Sequence, residues 1–251
     1  MNRSVARITK PPAVPPLRDG DRMDAAEFMR RYAADKKVAR AELIQGVVYI
    51  NARVNPDDPL GGEMPPISSG GHGVPHIRIA AWLCAYETDT PGVESSNPTT
   101  VQAPDEGLRP EPDVLLRILP ECGGTTTRDD NDYLVGAPEL IVEVSRASAG
   151  NDLGPKLRAY RASGVKEYLV WRTEDELIEW FVLKRKNYVL LQPHPDGTRR
   201  SVTFPGLWLD YAALIAGNLK GVRAALQRGI ESPEHAAFVA KLAQAAKRKK
   251  R

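Results

Sequence analysis

The sequence predicts an α/β fold: a mixed β-sheet flanked by helices, preceded by a flexible arm and followed by a helical C-terminal extension. Three observations carry this. The stretch PELIVEVS (Pro138 to Ser145), a helical run over Asp152 to Ser163 and KEYLVW (Lys166 to Trp171) place a strand, a helix and a strand within about 34 residues, the span of a parallel crossover unit. Apolar residues then alternate over Glu176 to Leu183 and Tyr188 to Gln192, which predicts antiparallel strands extending the same sheet. Tyr211 to Ala246 is rich in Ala and Leu and predicts helices, with a break over Gly229 to Pro233.

Taken from the N-terminus, residues 1 to 20 hold Pro11, Pro12, Pro15 and Pro16 and few large apolar residues. Such a segment cannot offset its own ordering entropy, so an arm is expected there. The main domain is expected over residues 21 to 210 and the extension over 211 to 251. The domain's first helix is signalled by Asp24 as cap, Glu27 three residues on, and Met23 placed to pack on Phe28. Ala41 to Ile50, with Leu43, Val47 and Tyr49 on alternate positions, reads as one strand. Asn51 to Pro75 carries five prolines, Gly61-Gly62 and Gly70-Gly71, and reads as a long loop without regular structure. Ile79, Leu83 and Tyr86 recur at helical spacing over His76 to Glu87, and short strands are expected around Gly92 to Asn97, Thr99 to Ala103 and Pro112 to Leu119.

Composition narrows the function classes. Two cysteines, Cys84 and Cys122, cannot build a disulfide framework or a four-ligand zinc cluster. The start of the chain has no signal-like apolar run, and no stretch is long enough to span a bilayer, so a cytoplasmic protein with no membrane contact is expected. The formal charge is +3, but residues 1 to 20 contribute +3 and Lys247 to Arg251 contribute +5, which leaves the body at −5. An acidic body is not a broad cationic face for gripping phosphates, so any nucleic-acid contact must be local, bridged by a metal, or made by the tails. The terminal KRKKR itself reads as a solvated, frayed end.

The candidate chemistry lies in two interrupted strands. In PELIVEVS, Glu143 breaks an apolar run of Leu140, Ile141, Val142 and Val144, and in RPEPDVLLRI, Asp113 precedes Val114, Leu115 and Leu116. A carboxylate in such a strand is costly to bury unless it is paired, protonated or bound to a metal ion. On a helical wheel over Asp152 to Ser163, Leu153, Leu157 and Tyr160 share a face with Lys156 at its edge, where an ammonium could approach both acids. Two carboxylates and a main-chain carbonyl, for which Val144 is placed, suit a hard cation such as Mg²⁺ or Mn²⁺. Such an ion acidifies a bound water and stabilises a leaving alkoxide. The same three charges also suit a buried salt-bridge network, and spacing alone does not separate the two.

The blocks AELIQG (Ala41 to Gly46), RPEPDVLL (Arg109 to Leu116), APELIVEVS (Ala137 to Ser145) and DLGPKLRAYRASGVKEYLVW (Asp152 to Trp171) occur in the order found in the Uma-type putative restriction endonuclease family, which the chain resembles over roughly residues 21 to 210. The resemblance implies a restriction-endonuclease-like fold of the PD-(D/E)XK kind. It also implies Glu42 as a helix-proximal acid, Asp113 and Glu143 as metal ligands, and Lys156 as the catalytic cation. The superfold's lysine two residues after the acid is replaced here by Ser145, so the implied activity depends on Lys156 reaching the site from its helix.

Other residues carry two readings each. Glu42 is as well suited to a surface or capping charge as to a third site acid, and His76 either donates to a phosphate or sits in solvent at a helix start. His72, in a Gly-rich loop, carries less signal still, and Tyr160 and Tyr168 read as core aromatics. Two functions remain open: a metal-dependent endonuclease hydrolysing DNA, for which cutting two strands would call for the two sites of a homodimer, and a catalytically inactive scaffold or nucleic-acid-binding accessory of the same fold.

Overall fold

A computed structural model of the chain describes residues 14–53, 68–103, 107–146 and 149–249. Its elements in order are α1 (Ala25–Ala34), β1 (Val38–Ile44), β2 (Val47–Arg53), α2 (Val74–Thr88), β3 (Val93–Ser96), β4 (Val101–Gln102), β5 (Leu108–Arg109), β6 (Val114–Ile118), β7 (Thr127–Arg128), β8 (Leu134–Val135) and β9 (Leu140–Ser145). The short α3 (Ala149–Asn151) leads through a π-helical turn over Asp152–Lys156 into α4 (Leu157–Ser163). Then come β10 (Glu167–Arg172), β11 (Leu177–Lys184), β12 (Asn187–Leu190), β13 (Arg199–Arg200), β14 (Trp208–Leu209), α5 (Tyr211–Ile215), α6 (Leu219–Ile230) and α7 (Pro233–Lys249).

The central sheet has six strands in the order β12-β11-β10-β9-β6-β3. Strands β9 and β10 pair in parallel across the crossover through α4, while β10–β11, β11–β12, β6–β9 and β3–β6 are antiparallel. The mixed sheet expected from the crossover unit and the meander is therefore present. Alternation along β9 sorts its side chains onto two faces. Leu140, Val142 and Val144 join Val114, Leu116, Leu169 and α2 in one apolar cluster, and Ile141 joins Leu115, Tyr160, Tyr168 and Val170 in the other. Glu143, one step from Val142, lies on the second face.

Several expectations shift. The strand read over Ala41 to Ile50 is a hairpin, because Gln45 and Gly46 adopt φ of 53° and 74° and turn the chain back so that Ile44 pairs with Val47. Positive φ at both turn residues matches the right-handed twist of the flanking strands. The alternation of Leu43, Val47 and Tyr49 runs through the two-residue turn without a break and hides it. Of the expected arm, residues 14–20 pack on this hairpin: Leu17 is buried, and the Gly20 N–H donates to Val48 O at 2.8 Å. Residues 1–13 lie outside the described residues. The expected loop over Asn51 to Pro75 lies partly outside them too, but β2 continues to Arg53, Ser69–Gly73 forms a π-helical turn, and α2 begins at Val74.

At the C-terminus, Leu214, Val222, Leu226, Phe238 and Leu242 share one buried cluster with Trp82, Leu83, Trp180 and Phe204. The helices after residue 210 are thus part of the core that covers the first face of the sheet. The basic end continues α7 as far as Lys249, whose ammonium donates to Pro120 O at 3.3 Å. Among the described residues, no helix is long and apolar enough to cross a membrane.

Candidate functional site

The stretch Arg109-Pro110-Glu111-Pro112-Asp113 connects two sheets, and its prolines explain how. Each removes a ladder N–H and holds the preceding residue extended, so pairing with β1 stops after Leu43↔Arg109 and the chain crosses to the central sheet at Val114. Only Glu111 in this stretch keeps an N–H between the prolines, and it donates to Glu42 Oε1 at 2.7 Å. Glu42 on β1 is in this way fastened to the chain just ahead of Asp113.

Strands β6 and β9 pair with Val114 opposite Val142, which carries Asp113 opposite Glu143 on the same face. The regular ladder ends there. Beyond it, the Asp113 side chain takes over, its Oδ2 accepting the Val144 N–H at 2.8 Å. The carbonyl of Val144 is engaged as well, by His72 Nδ1 at 2.9 Å, and His72 Nε2 stands 3.6 Å from Asp113 Oδ1.

From the other side comes the helix after β9. Pro155 has no N–H to give a regular helix, and the backbone widens so that the Leu157 N–H reaches back to Asp152 O. Lys156 and Tyr160, one turn apart, both donate to Glu143 Oε1, each at 3.0 Å. Lys156 Nζ also lies 3.1 Å from Glu42 Oε1 and 3.7 Å from Asp152 Oδ1. The wheel put Lys156 at the edge of the core face with Leu153 and Leu157 inside. Instead Lys156 is 7% exposed and both leucines are only half-buried, since the widened turn directs the ammonium at three acids whose burial requires a cation.

These pairings fix the electrostatics. Burial works to raise the Glu42 carboxyl, but the Lys156 charge, the Glu111 N–H and the Asn51 amide outweigh it and hold the group below its ordinary value. Glu143 goes the other way. Burial pushes its carboxyl well above the ordinary range, Lys156 opposes this, and the nearby charges of Asp113, Asp152 and Glu42 add to it. Burial works to lower the Lys156 ammonium, yet Glu143, Glu42 and Asp152 hold it well above its usual value.

Of the residues singled out from the sequence, Glu42, Glu143 and Lys156 meet through direct contacts. Asp113 joins them from the neighbouring strand without a direct contact to Lys156 among the described residues. Sequence reasoning missed Asp152, although Asp152, Lys156 and Tyr160 stand at successive helical i, i+4 positions. It also gave His72 little weight, because no periodic pattern leads through the Gly-rich segment that holds it. His76, read as a phosphate donor or a solvated side chain, instead reaches the Asp113 backbone oxygen with Nε2 at 3.1 Å.

Three acids, Glu42, Glu143 and Asp152, meet one buried ammonium, Asp113 stands close to Glu143, and the donors are oxygens of the kind a hard divalent cation takes. Positive charge next to Glu143 would replace the proton that burial favours. The donor set therefore fits such an ion. Among the described residues, no three His, Cys, Asp or Glu side chains already close around one ion position, so part of a coordination shell would be water and main chain.

Comparisons with known proteins bear on this arrangement. A family model named Uma2, described as "Putative restriction endonuclease", matches residues 61–212, more than half of the chain. The match takes in Asp113, Glu143 and Lys156, while Glu42 precedes it. A crystal structure of a "putative nuclease belonging to DUF820" from Anabaena variabilis is similar in fold, with a TM-score of 0.55 over 77% of this chain and 98% of that one, at 11% identity. None of the curated proteins matches.

Proposed function

The chain belongs to the Uma2 family, described as putative restriction endonucleases, and from that premise we propose that it hydrolyses DNA phosphodiester bonds at the pocket formed by Asp113, Glu143 and Lys156. The observation that carries this reading is the convergence of Lys156 Nζ on Glu143 at 3.0 Å and Glu42 at 3.1 Å, on the sheet face that also holds Asp113. In this proposal Asp113 and Glu143 would hold Mg²⁺ or Mn²⁺, while the Val144 carbonyl, expected from the sequence as a further ligand, is engaged by His72 Nδ1 at 2.9 Å. A divalent ion so held supplies an acidified water and neutralises phosphate charge. Lys156 opposes the proton that burial favours on Glu143 without displacing it, the ion's charge would complete that, and Tyr160 fixes the same carboxyl group by donating to Oε1. Glu42 and Asp152 balance and position the ammonium rather than touch substrate. Cutting both strands of a duplex takes two such sites, which we propose a homodimer provides.

Plasmid DNA incubated with Mg²⁺ or Mn²⁺ tests the reading. Wild type should nick or linearise it and Asp113→Ala should not; equal cleavage by both proteins removes the proposal.

One observation favours a second reading, an inactive protein of the same fold that binds nucleic acid or serves as a scaffold. Lys156 is occupied by three carboxylates, as a structural salt bridge would be. Thermal melts separate the two, because an ion-binding site gains stability from added Mg²⁺ or Mn²⁺ by mass action and a salt bridge does not.

A further inference from the structure

The histidine that sequence reasoning gave little weight is held beside Asp113 by a chain of hydrogen bonds. His72 ends a turn in which its own N–H and that of Gly73 donate to Ser68 O, at 2.9 and 3.1 Å. The Gly71 N–H donates to Ser68 Oγ at 3.0 Å, and Thr173 Oγ1 donates to Gly71 O at 2.7 Å. Thr173 is itself tied to the end of β9 by its N–H to Ser145 O at 3.0 Å. A Cβ on Gly71 would stand 2.6 Å from the Arg146 side chain, so the turn lies against the chain that follows β9. The ring stacks on His76 with centroids 5.6 Å apart and planes at 22°.

This placement determines which ring nitrogen is free. A carbonyl only accepts, so Nδ1, 2.9 Å from Val144 O, carries the hydrogen, and Nε2 of the neutral ring presents a lone pair. That lone pair stands 3.6 Å from Asp113 Oδ1, another acceptor. Two acceptors facing each other repel unless positive charge lies between them. Two donors each about 2.1 Å from a cation stand about 3.0 Å apart at a right angle and about 3.4 Å apart at a tetrahedral angle, so closure by a few tenths of an ångström brings both onto one ion. A ring whose second N–H is bonded to a main-chain carbonyl is also the usual setting of a metal-bound imidazole.

We propose that His72 Nε2 is a ligand, together with Asp113, of the cation in this pocket, and that the imidazole makes the site prefer a transition ion of the Mn²⁺ class over Mg²⁺. Imidazole nitrogen suits first-row transition ions, whereas Mg²⁺ takes oxygen donors. The inference rests on the metal-dependent reading above and adds a ligand and a selectivity to it.

The test is pulsed EPR of Mn²⁺ added to the full-length protein, beside calorimetric titrations with Mn²⁺ and with Mg²⁺. Bound Mn²⁺ should show nitrogen hyperfine coupling that changes when the histidines are labelled with ¹⁵N. The coupling should disappear in His72→Phe and persist in His76→Phe. His72→Phe should weaken Mn²⁺ binding about 10- to 100-fold and Mg²⁺ binding much less. Mn²⁺ that binds in an Asp113-dependent way without nitrogen coupling overturns the role of His72 and leaves the metal-dependent reading standing. No binding of either ion overturns both. Because the coupling is read on wild type, a His72 variant that fails to fold does not decide the question.

Discussion

The Asp113 carboxylate accepts the Val144 N–H at 2.8 Å where the β6–β9 ladder runs out, so one oxygen serves the sheet and the other is left facing His72. Asp113→Asn separates the two duties. An amide oxygen still accepts from Val144, so stability should stay within about 1 kcal/mol of wild type, whereas loss of the buried N–H's partner altogether, as in Asp113→Ala, should cost about 1–3 kcal/mol. Cleavage should be lost in both. Urea unfolding alongside a plasmid assay checks this; an asparagine variant that still cuts at the wild-type rate removes Asp113 from the chemistry.

Glu143 makes stability depend on pH. Its folded carboxyl is raised above the unfolded value, chiefly by burial, so between the two values the folded chain binds a proton that the unfolded chain has released. That contribution is present at pH below about 4.5, the ordinary carboxyl value, and is lost as pH rises through the folded one. Glu143→Gln cannot ionise. In chelator-treated protein its stability relative to wild type should therefore improve as pH rises above about 4.5, as followed by denaturant titration at each pH. Added Mg²⁺ or Mn²⁺ should recover wild type at neutral pH and leave the variant unchanged. Parallel pH profiles for the two proteins would contradict this account.

Lys156 is in direct contact with the buried acids Glu42, Glu143 and Asp152. Removing one partner of a buried ion pair costs about 3–5 kcal/mol, because the opposite charge is left unpaired in the interior. Lys156→Met should accordingly lower the unfolding free energy by about that amount at neutral pH. The midpoint of chemical denaturation reports it, and a change under about 1 kcal/mol would mean the ammonium is exchangeable with water.

The sequence carries the sheet clearly and the pocket only in part. PELIVEVS, KEYLVW and the meander reveal themselves by length and alternation, since a strand buried on both faces has little choice but to be apolar. Glu143 stands out because it violates that rule, and Asp113 because it opens a similar run. The Gln45-Gly46 turn does not stand out, because its positive φ is a backbone property that the alternation of side chains passes over. Lys156 is found at the right end of the sheet but one step off in rotation, since a helical wheel assumes 3.6 residues per turn and the turn at Pro155 has more. His72 is placed by backbone hydrogen bonds from Ser68 and Thr173 across a segment without periodicity, information that no local pattern contains.

The C-terminal helices give a prediction about cooperativity. Leu226 on α6 is buried in the same cluster as Trp82, Leu83 and Trp180. Leu226→Ala should cost about 2–5 kcal/mol and move the single unfolding transition of the whole chain. Should the main transition stay put while a small separate one shifts, residues 211–249 would be an independent unit.

The widened turn before α4 has a further consequence. With the Leu157 N–H reaching back five residues to Asp152, the number of residues from Asp152 to Lys156, and not only their identity, sets the angle at which the ammonium leaves the helix. One residue fewer in Asp152–Lys156 advances the helix by about 100°, enough to swing a side chain from the interior to the outer surface. Tolerance here is thus a matter of arithmetic: exchanges that keep both the count and Pro155 preserve the aim of Lys156, and an insertion or deletion within Asp152–Lys156 throws it off.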